Sequence, residues 1–292
     1  MTDFRLHSVL RPLTSVAMDG PEKLPRWSAS ALSTYERCGE RYRRRYVERE
    51  RGPGSVPMAV GTAVHRAAAL DNGARLALDQ RAKLGELVDV AVAAYDEALD
   101  RDRVEAPAPE RGEGRDGAAA GARGWGAHVS PSLPRPRACE ERIEADLAGV
   151  RLVGVLDYVT PGPAGDVVGD LKTGRAPAAG AAARSAQLTL YGILWRAKTG
   201  RWPAAVALDH LRPPSAKRRA ATWQHERQAS PRGPGDYAAV VARIGQVQAA
   251  VAAGVFLAAG EHEFTCAPKW CEFWPTCRYV APARRAIAAR EE

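Results

Sequence analysis

Apolar runs long enough to cross a bilayer, about 20 residues, are missing from this 292-residue sequence. Its N-terminus also lacks the basic start and apolar centre of a secretory signal. The expectation is a cytoplasmic protein with no membrane association. Cysteine is scarce: there are five, unevenly spaced, with Cys266, Cys271 and Cys277 bunched together. That pattern argues against a secreted disulfide framework and fits a metal site in a reducing compartment. Lysine is short as well, because only six of the 42 basic residues are lysines. What is abundant is positive charge. A formal charge of +8 and a pI near 9.5 suit a polyanionic partner, since cations displace counterions from phosphate. An Ala- and Arg-rich coding bias would produce the same charge, so motifs must decide.

Residues 1–26 contain Pro12, Pro21 and Pro25 without periodicity and are expected to be a poorly ordered lead-in. From Ser28 the apolar positions Leu32, Tyr35, Tyr42 and Tyr46 recur at helical spacing, predicting one helix as far as Val47. Gly61-Thr62 opens a second helix carrying His65. A third is expected at about 80–100, with Leu84, Leu87, Val88, Ala91, Tyr95 and Leu99 as its apolar stripe. The stretch at about 101–137 is rich in Pro, Gly, Ala, Arg and Glu and is expected to be a flexible insertion. Two β-rich runs follow, RIEADLAGVRLVGVLDYV and DVVGDLKTG, joined by the turn-forming TPGPAGD. A helix at about 184–199, strands around 204–212 and 220–226, and a helix at about 236–257 complete a mixed α/β domain over 27–292.

The hairpin is the most informative segment. Centring its turn near Pro163-Ala164 makes Asp157 and Asp170 cross-strand partners, with Cβ atoms roughly 5 Å apart. Both lie in apolar runs, so their mutual repulsion calls for compensation, which a divalent cation supplies. Lys172, two residues beyond Asp170, shares its face and is suited to orient or help deprotonate an attacking water. Taken alone, Asp-x-Lys is also what an ordinary surface hairpin with a salt bridge would contain.

Four motifs in order carry a family resemblance. GVLDYV and VVGDLKTG resemble the second and third motifs of RecB-like PD-(D/E)XK nucleases, VGTAVHRA resembles their helical histidine motif, and QLTLYG resembles their Q-x-x-x-Y motif. The resemblance implies a restriction-endonuclease-like core, a mixed central sheet flanked by helices. It implies His65, Asp157, Asp170 and the carbonyl of Leu171 as ligands of Mg²⁺ or Mn²⁺, with Lys172 assisting water. Gln187 and Tyr191 would steady the site or the DNA backbone, and Glu144 would sit nearby. The implied activity is phosphodiester hydrolysis by a DNA exonuclease, acting on ends or single strands in repair, recombination or CRISPR-type processing, with a helicase, a recombination protein or a CRISPR protein as candidate partners.

The cysteines extend the resemblance. CAPKWCEFWPTC supplies three thiols, and a fourth ligand is needed for either a tetrahedral zinc or a cubane cluster. Cys38, in SASALSTYERCGERYRRRYV, resembles the cysteine on the first helix of iron–sulfur nucleases such as AddB and the CRISPR-associated exonucleases. That similarity implies a [4Fe–4S] cluster on Cys38, Cys266, Cys271 and Cys277, within a cysteine segment at 264–280, shielded by Trp270, Phe273 and Trp274. The spacing C-x4-C-x5-C departs from the family's C-x2-C-x5-C at Cys266, and four thiolates suit zinc equally. Cys139 reads as a spare thiol. Arg41, Arg44 and Arg45, interleaved with Tyr42 and Tyr46, are candidates for tracking phosphates, as are Lys217, Arg218 and Arg219. The competing reading is a non-catalytic, nuclease-derived DNA-binding module stabilised by the iron–sulfur or zinc site.

Overall fold

The computed structural model describes residues 25–174, 177–213, 223–260 and 262–291. Lys217, Arg218, Arg219 and nearly all of the proline-rich lead-in lie outside them. Six strands form one mixed sheet: β1 (Arg26–Trp27), β2 (Ala138–Leu147), β3 (Val150–Gly162), β4 (Gly165–Thr173), β5 (Ala205–Arg212) and β6 (Gln224–Ser230), in the order β1-β3-β4-β5-β6 with β2 also paired to β3. Nine helices are described: α1 (Ala29–Arg37), α2 (Gly39–Tyr42), α3 (Val56–Leu78), α4 (Leu84–Arg101), α5 (Ala108–Gly124), α6 (Ala181–Arg184), α7 (Ala186–Thr199), α8 (Pro234–Ala252) and α9 (Pro282–Glu291). The mixed α/β architecture with a helix-flanked sheet is the one expected.

Both faces of the sheet are covered. On one, Leu152, Leu156, Val159, Val168 and Val206 pack with Leu32, Leu190, Leu194 and Ile244 from α1, α7 and α8. On the other, Tyr158, Leu171 and Leu211 pack with Val64, Leu87, Tyr95, Ala118 and Trp125 from the α3–α5 side. Burial of these side chains at about 25 cal/mol per Å² is the main favourable term holding the layers together.

Several boundaries differ from the sequence expectation, each for a physical reason. The single helix expected over 28–47 is interrupted. Ser28 caps α1 by accepting the Ala31 N–H at 3.1 Å, but Cys38 is extended and its sulfur caps α2 by accepting the Arg41 N–H at 3.4 Å. The helix carrying His65 starts earlier, at Val56, because Pro57 sits in its first turn, where the missing N–H costs nothing. The expected flexible insertion contains α5, whose small residues Gly114, Ala118, Gly121 and Ala122 are buried. Its composition reads as low-complexity, but the lack of bulk is what lets it lie close to Tyr95, Val64 and Trp223. The run RIEADLAGVRLVGVLDYV is two strands rather than one. It turns at Ala148 (φ 51°) and Gly149 (φ 77°), the left-handed pair that a two-residue hairpin needs.

The hairpin register is as expected: β3 and β4 pair from Gly162↔Gly165 to Tyr158↔Gly169, so Asp157 and Asp170 come next in line. Because β2 occupies one edge of β3 along Val150–Val159, β1 and β4 must share the other edge. Beyond Tyr158 the strands change company, β3 continuing with β2 and β4 with β5. The β2–β3 pair also kinks there. Ala138 and Ile143, and likewise Leu156 and Val159, face the same core although their positions differ by an odd number. A strict two-residue alternation would put them on opposite faces. The switch falls at Glu140, whose φ of 49° is left-handed, and at Asp157 opposite it.

Candidate active site

The kink and the divergence of strands leave carboxylates at one spot. Asp157 on β3 accepts the backbone N–H of Leu171 at 2.8 Å, so its carboxylate bridges the gap where the ladder has stopped. Asp170 on β4 is buried, at 1% exposure, and is held by two side chains. Lys172 Nζ lies 3.0 Å from its Oδ1 and 2.7 Å from its Oδ2, and Gln187 Nε2 on α7 donates to Oδ1 at 2.8 Å. The same Gln187 amide is 2.8 Å from the Tyr191 hydroxyl one turn further along α7. His65 on α3 approaches from the opposite layer, its Nδ1 3.4 Å from Asp157 Oδ2. The structure thus gathers His65, Asp157, Asp170, Leu171, Lys172, Gln187 and Tyr191, all singled out in the sequence, from both helical layers and two strands.

The electrostatics follow from this crowding. Burial pushes the Asp157 carboxyl upward, opposed by the Leu171 N–H and the Lys172 charge. Burial pushes Asp170 up as well, opposed by Lys172 and reinforced by the Asp157 charge. Burial, with Lys172 next, lowers His65 and so keeps its imidazole neutral near pH 7. Tyr191 is raised, first by burial and then by Asp170, so its hydroxyl stays protonated. Two carboxylates that lack the solvation to hold their charges, beside a neutral imidazole and a backbone carbonyl, form a hard, oxygen-rich donor set that fits Mg²⁺ or Mn²⁺. Among the described residues no three His, Cys, Asp or Glu side chains stand close enough together to form a finished cage. The Lys172 ammonium and the Gln187 amide supply the compensation on Asp170.

Two residues near the site were not found by sequence reasoning. Glu140, rather than Glu144, is the β2 carboxylate beside Asp157. Crowding by protein and then the Asp157 charge push the Glu140 carboxyl up to about 7, although its side chain reaches the surface. Glu144 instead pairs with Arg142 at 2.6 Å and Arg26 at 3.6 Å and stands opposite Val153, away from the acidic pair. Centring the first hairpin on Ala148-Gly149 would have placed Glu140 opposite Asp157. The second is His210, which is in register with Lys172 across the parallel β4–β5 pair. It is buried, and its Nδ1 has no hydrogen-bond partner. Only the strand order, which a linear reading lacks, brings it there.

The four cysteines expected to act together do share one cavity. Cys38, Cys266, Cys271 and Cys277 line one cavity of about 220 Å³ together with Phe273 and Trp274. All are free thiols. Cys38 Sγ accepts the N–H groups of Arg41 and Ala259, both at 3.4 Å, the kind of donor that stabilises a metal-bound thiolate. Burial raises the Cys271 thiol. Four thiols on one lining are the ligand types that an iron–sulfur cubane or zinc takes, but among the described residues no three of them stand close enough together to hold a metal ion. Of the expected shielding aromatics, Phe273 and Trp274 are buried, whereas Trp270 is 51% exposed. Cys139 lies apart, its thiol pushed up to about 12, chiefly by burial.

The expected phosphate-tracking arginines are engaged within the protein. Arg41 pairs with Glu272 at 2.5 Å, Arg44 with Glu50 at 2.6 Å and Arg45 with Glu272 at 3.6 Å. Arg44 also donates to Thr276 at 3.0 Å and stacks 4.3 Å over the Phe273 ring. Tyr42 stacks between Trp27 and Tyr46. These side chains fasten the N-terminal helices to the cysteine segment.

Comparison with known proteins agrees with this geometry. Residues 26–278 match the family model of the PD-(D/E)XK nuclease superfamily, a span that includes the acidic site and all four of these cysteines. No curated protein matches the chain. Among the described residues no helix is long and apolar enough to cross a membrane.

Proposed function

This chain belongs to the PD-(D/E)XK nuclease superfamily, and from that premise we propose that it is a RecB-like, metal-dependent DNA exonuclease acting on ends or single strands, in repair, recombination or CRISPR-type processing. The observation that carries the reading is Asp170, buried and held by Lys172 and Gln187 next to the Asp157 carboxylate. His65, Asp157, Asp170 and the Leu171 carbonyl would hold Mg²⁺ or Mn²⁺. The bound ion would supply charge neutralisation at the phosphate and acidify water.

The chain's own groups account for the remaining chemistry. A water oxygen bonds to phosphorus while the bond to the departing ester oxygen breaks, and that oxygen takes up a proton. Lys172, half-exposed with its ammonium on Asp170, is placed to hold the attacking water or a phosphate oxygen. Gln187, fixed between Asp170 and Tyr191, keeps the carboxylate from turning away. Neutral His65 offers a ring nitrogen rather than a second positive charge.

The four cysteines would carry a [4Fe–4S] cluster, with zinc the alternative. Its role is structural, joining the first helices to the C-terminal segment, and the arginine pairs with Glu272 around the cavity support that. A second reading, a DNA-binding module without cleavage, draws on the unfinished cage and on the Lys172 ammonium paired with Asp170. Degradation of end-labelled DNA with Mn²⁺, abolished in Lys172→Ala while binding is retained, distinguishes the two. If purified wild-type protein leaves labelled ends intact in Mg²⁺ and in Mn²⁺, the exonuclease reading fails. Brown colour and iron after anaerobic purification identify the cluster, whereas colourless protein containing zinc rejects it.

A further inference from the structure

With Arg41, Arg44 and Arg45 committed elsewhere, a further set of arginines lines a groove between α1 and the α6–α7 turn. The groove, about 330 Å³, is lined by Ser30, Ser33 and Arg37 of α1, by Arg184, Ser185 and Gln187, and by Arg243 of α8 with Glu36. It adjoins the acidic site, because Gln187 belongs to both. It also leads to the cysteine cavity, because Ser33 and Arg37 line that space too. Three arginines against one glutamate leave the groove with an excess of two positive charges. Arg243 is paired with Glu36, and among the described residues the Arg184 guanidinium donates only to the Ala179 carbonyl, at 2.7 Å. Arg37 makes no hydrogen bond or ion pair with its side chain among the described residues, although it sits at the end of a helix followed closely by paired arginines. Apart from Leu32, alanines and the Glu36 carboxylate, which is taken up by Arg243, the lining is guanidinium, hydroxyl and amide, with no aromatic ring. Such a wall suits phosphates rather than stacked bases.

We propose that this groove is the path of the nucleic-acid strand to the acidic site, with Arg37 and Arg184 binding successive backbone phosphates. The inference rests on the nuclease reading and adds where the substrate lies. Binding is sequence-independent, since no group in the groove is placed among rings that would read bases. Arg243, held by Glu36, sets the far wall.

The test is the salt dependence of binding of a fluorescently labelled oligothymidylate to the full chain, with Ca²⁺ in place of Mg²⁺ or Mn²⁺ so that no cleavage intervenes. Removing one phosphate-binding arginine should lower the slope of log K against log salt by about 0.7 for a single strand. Arg37→Gln and Arg184→Gln should each show that decrease, the double variant about twice it, and Arg37→Lys should retain the wild-type slope. Arg123→Gln, an exposed arginine on α5 over the opposite sheet face, removes the same charge and should leave the slope unchanged. All three substituted arginines are exposed, so thermal midpoints should match wild type. Equal slopes for the groove variants and wild type, or an equal decrease in Arg123→Gln, overturn the proposal. Mn²⁺-dependent cleavage by the wild type is scored separately, so a groove that fails and a nuclease reading that fails give different results.

Discussion

At the residue scale the centre of the molecule is Asp170, whose buried charge would be strongly unfavourable without Lys172, Gln187 or an ion. Lys172→Ala should lower hydrolysis by about 10²–10⁴-fold, the range for a positioned proton-transfer group, while binding of DNA in Ca²⁺ is kept. Gln187→Ala should cost less, because Lys172 still holds both oxygens of the Asp170 carboxylate. The pH dependence has opposite signs for activity and stability. Asp157 and Asp170 are raised above the ordinary carboxylate value, first by burial. Their contribution to stability in metal-free protein is therefore fully present below the unfolded value of about 3.9, and is lost as pH rises through the raised folded values. Cleavage needs the charged carboxylates and should climb over that same upper range. Denaturant unfolding of metal-free wild type and Asp170→Asn across pH checks it: the decline on raising pH should be smaller in the variant.

At the scale of elements, the site exists because strands part company at Asp157. Tyr158, the next residue, fixes the parting from the other face. Its ring lies against Gly169, where any Cβ would clash, and its hydroxyl donates to the buried Asp209 of β5 at 2.5 Å. Asp209 also receives Arg227 at 2.7 Å and lies 2.6 Å from His225 Nε2, so one carboxylate ties β3, β5 and β6 together. Asp209→Ala should destabilise by about 3–5 kcal/mol, the range for breaking a buried pair, read as a lower denaturant midpoint. Gly169→Ala should destabilise by about 1–3 kcal/mol through overpacking and also lower cleavage, because Tyr158 and Asp157 would be pushed together.

At the scale of the whole molecule, the cysteine centre spans the chain from Cys38 to Cys277. On the proposed reading it closes a loop of more than 200 residues, which by the chain-entropy relation is worth about 5 kcal/mol. Cys38→Ala should lose metal and lower the thermal midpoint. Limited proteolysis should then cut the C-terminal segment first, since it would be left to side-chain contacts such as the arginine bonds to Glu272, Phe273 and Thr276 and the Arg278–Glu40 pair.

Local chemistry determined a large part of this protein. The β3–β4 register and the facing places of Asp157 and Asp170 follow from short-range periodicity and turn residues, which act within a few positions along the chain, whereas the weight on Lys172 and on the Gln187–Tyr191 pair came from the motif resemblance. The grouping of Cys38 with three thiols more than 200 residues away was legible through a motif resemblance. Tertiary structure decided what depends on distant partners. It brought Glu140 rather than Glu144 to the site through a left-handed kink and placed His210 beside Lys172 through a parallel pairing. It ordered the small-residue α5 by packing, and it tied up Arg41, Arg44 and Arg45 while setting Arg37 in the groove beside the acidic site. Charge and side-chain type are written in the sequence, but whether a charge meets a partner or solvent depends on which elements the fold brings beside it.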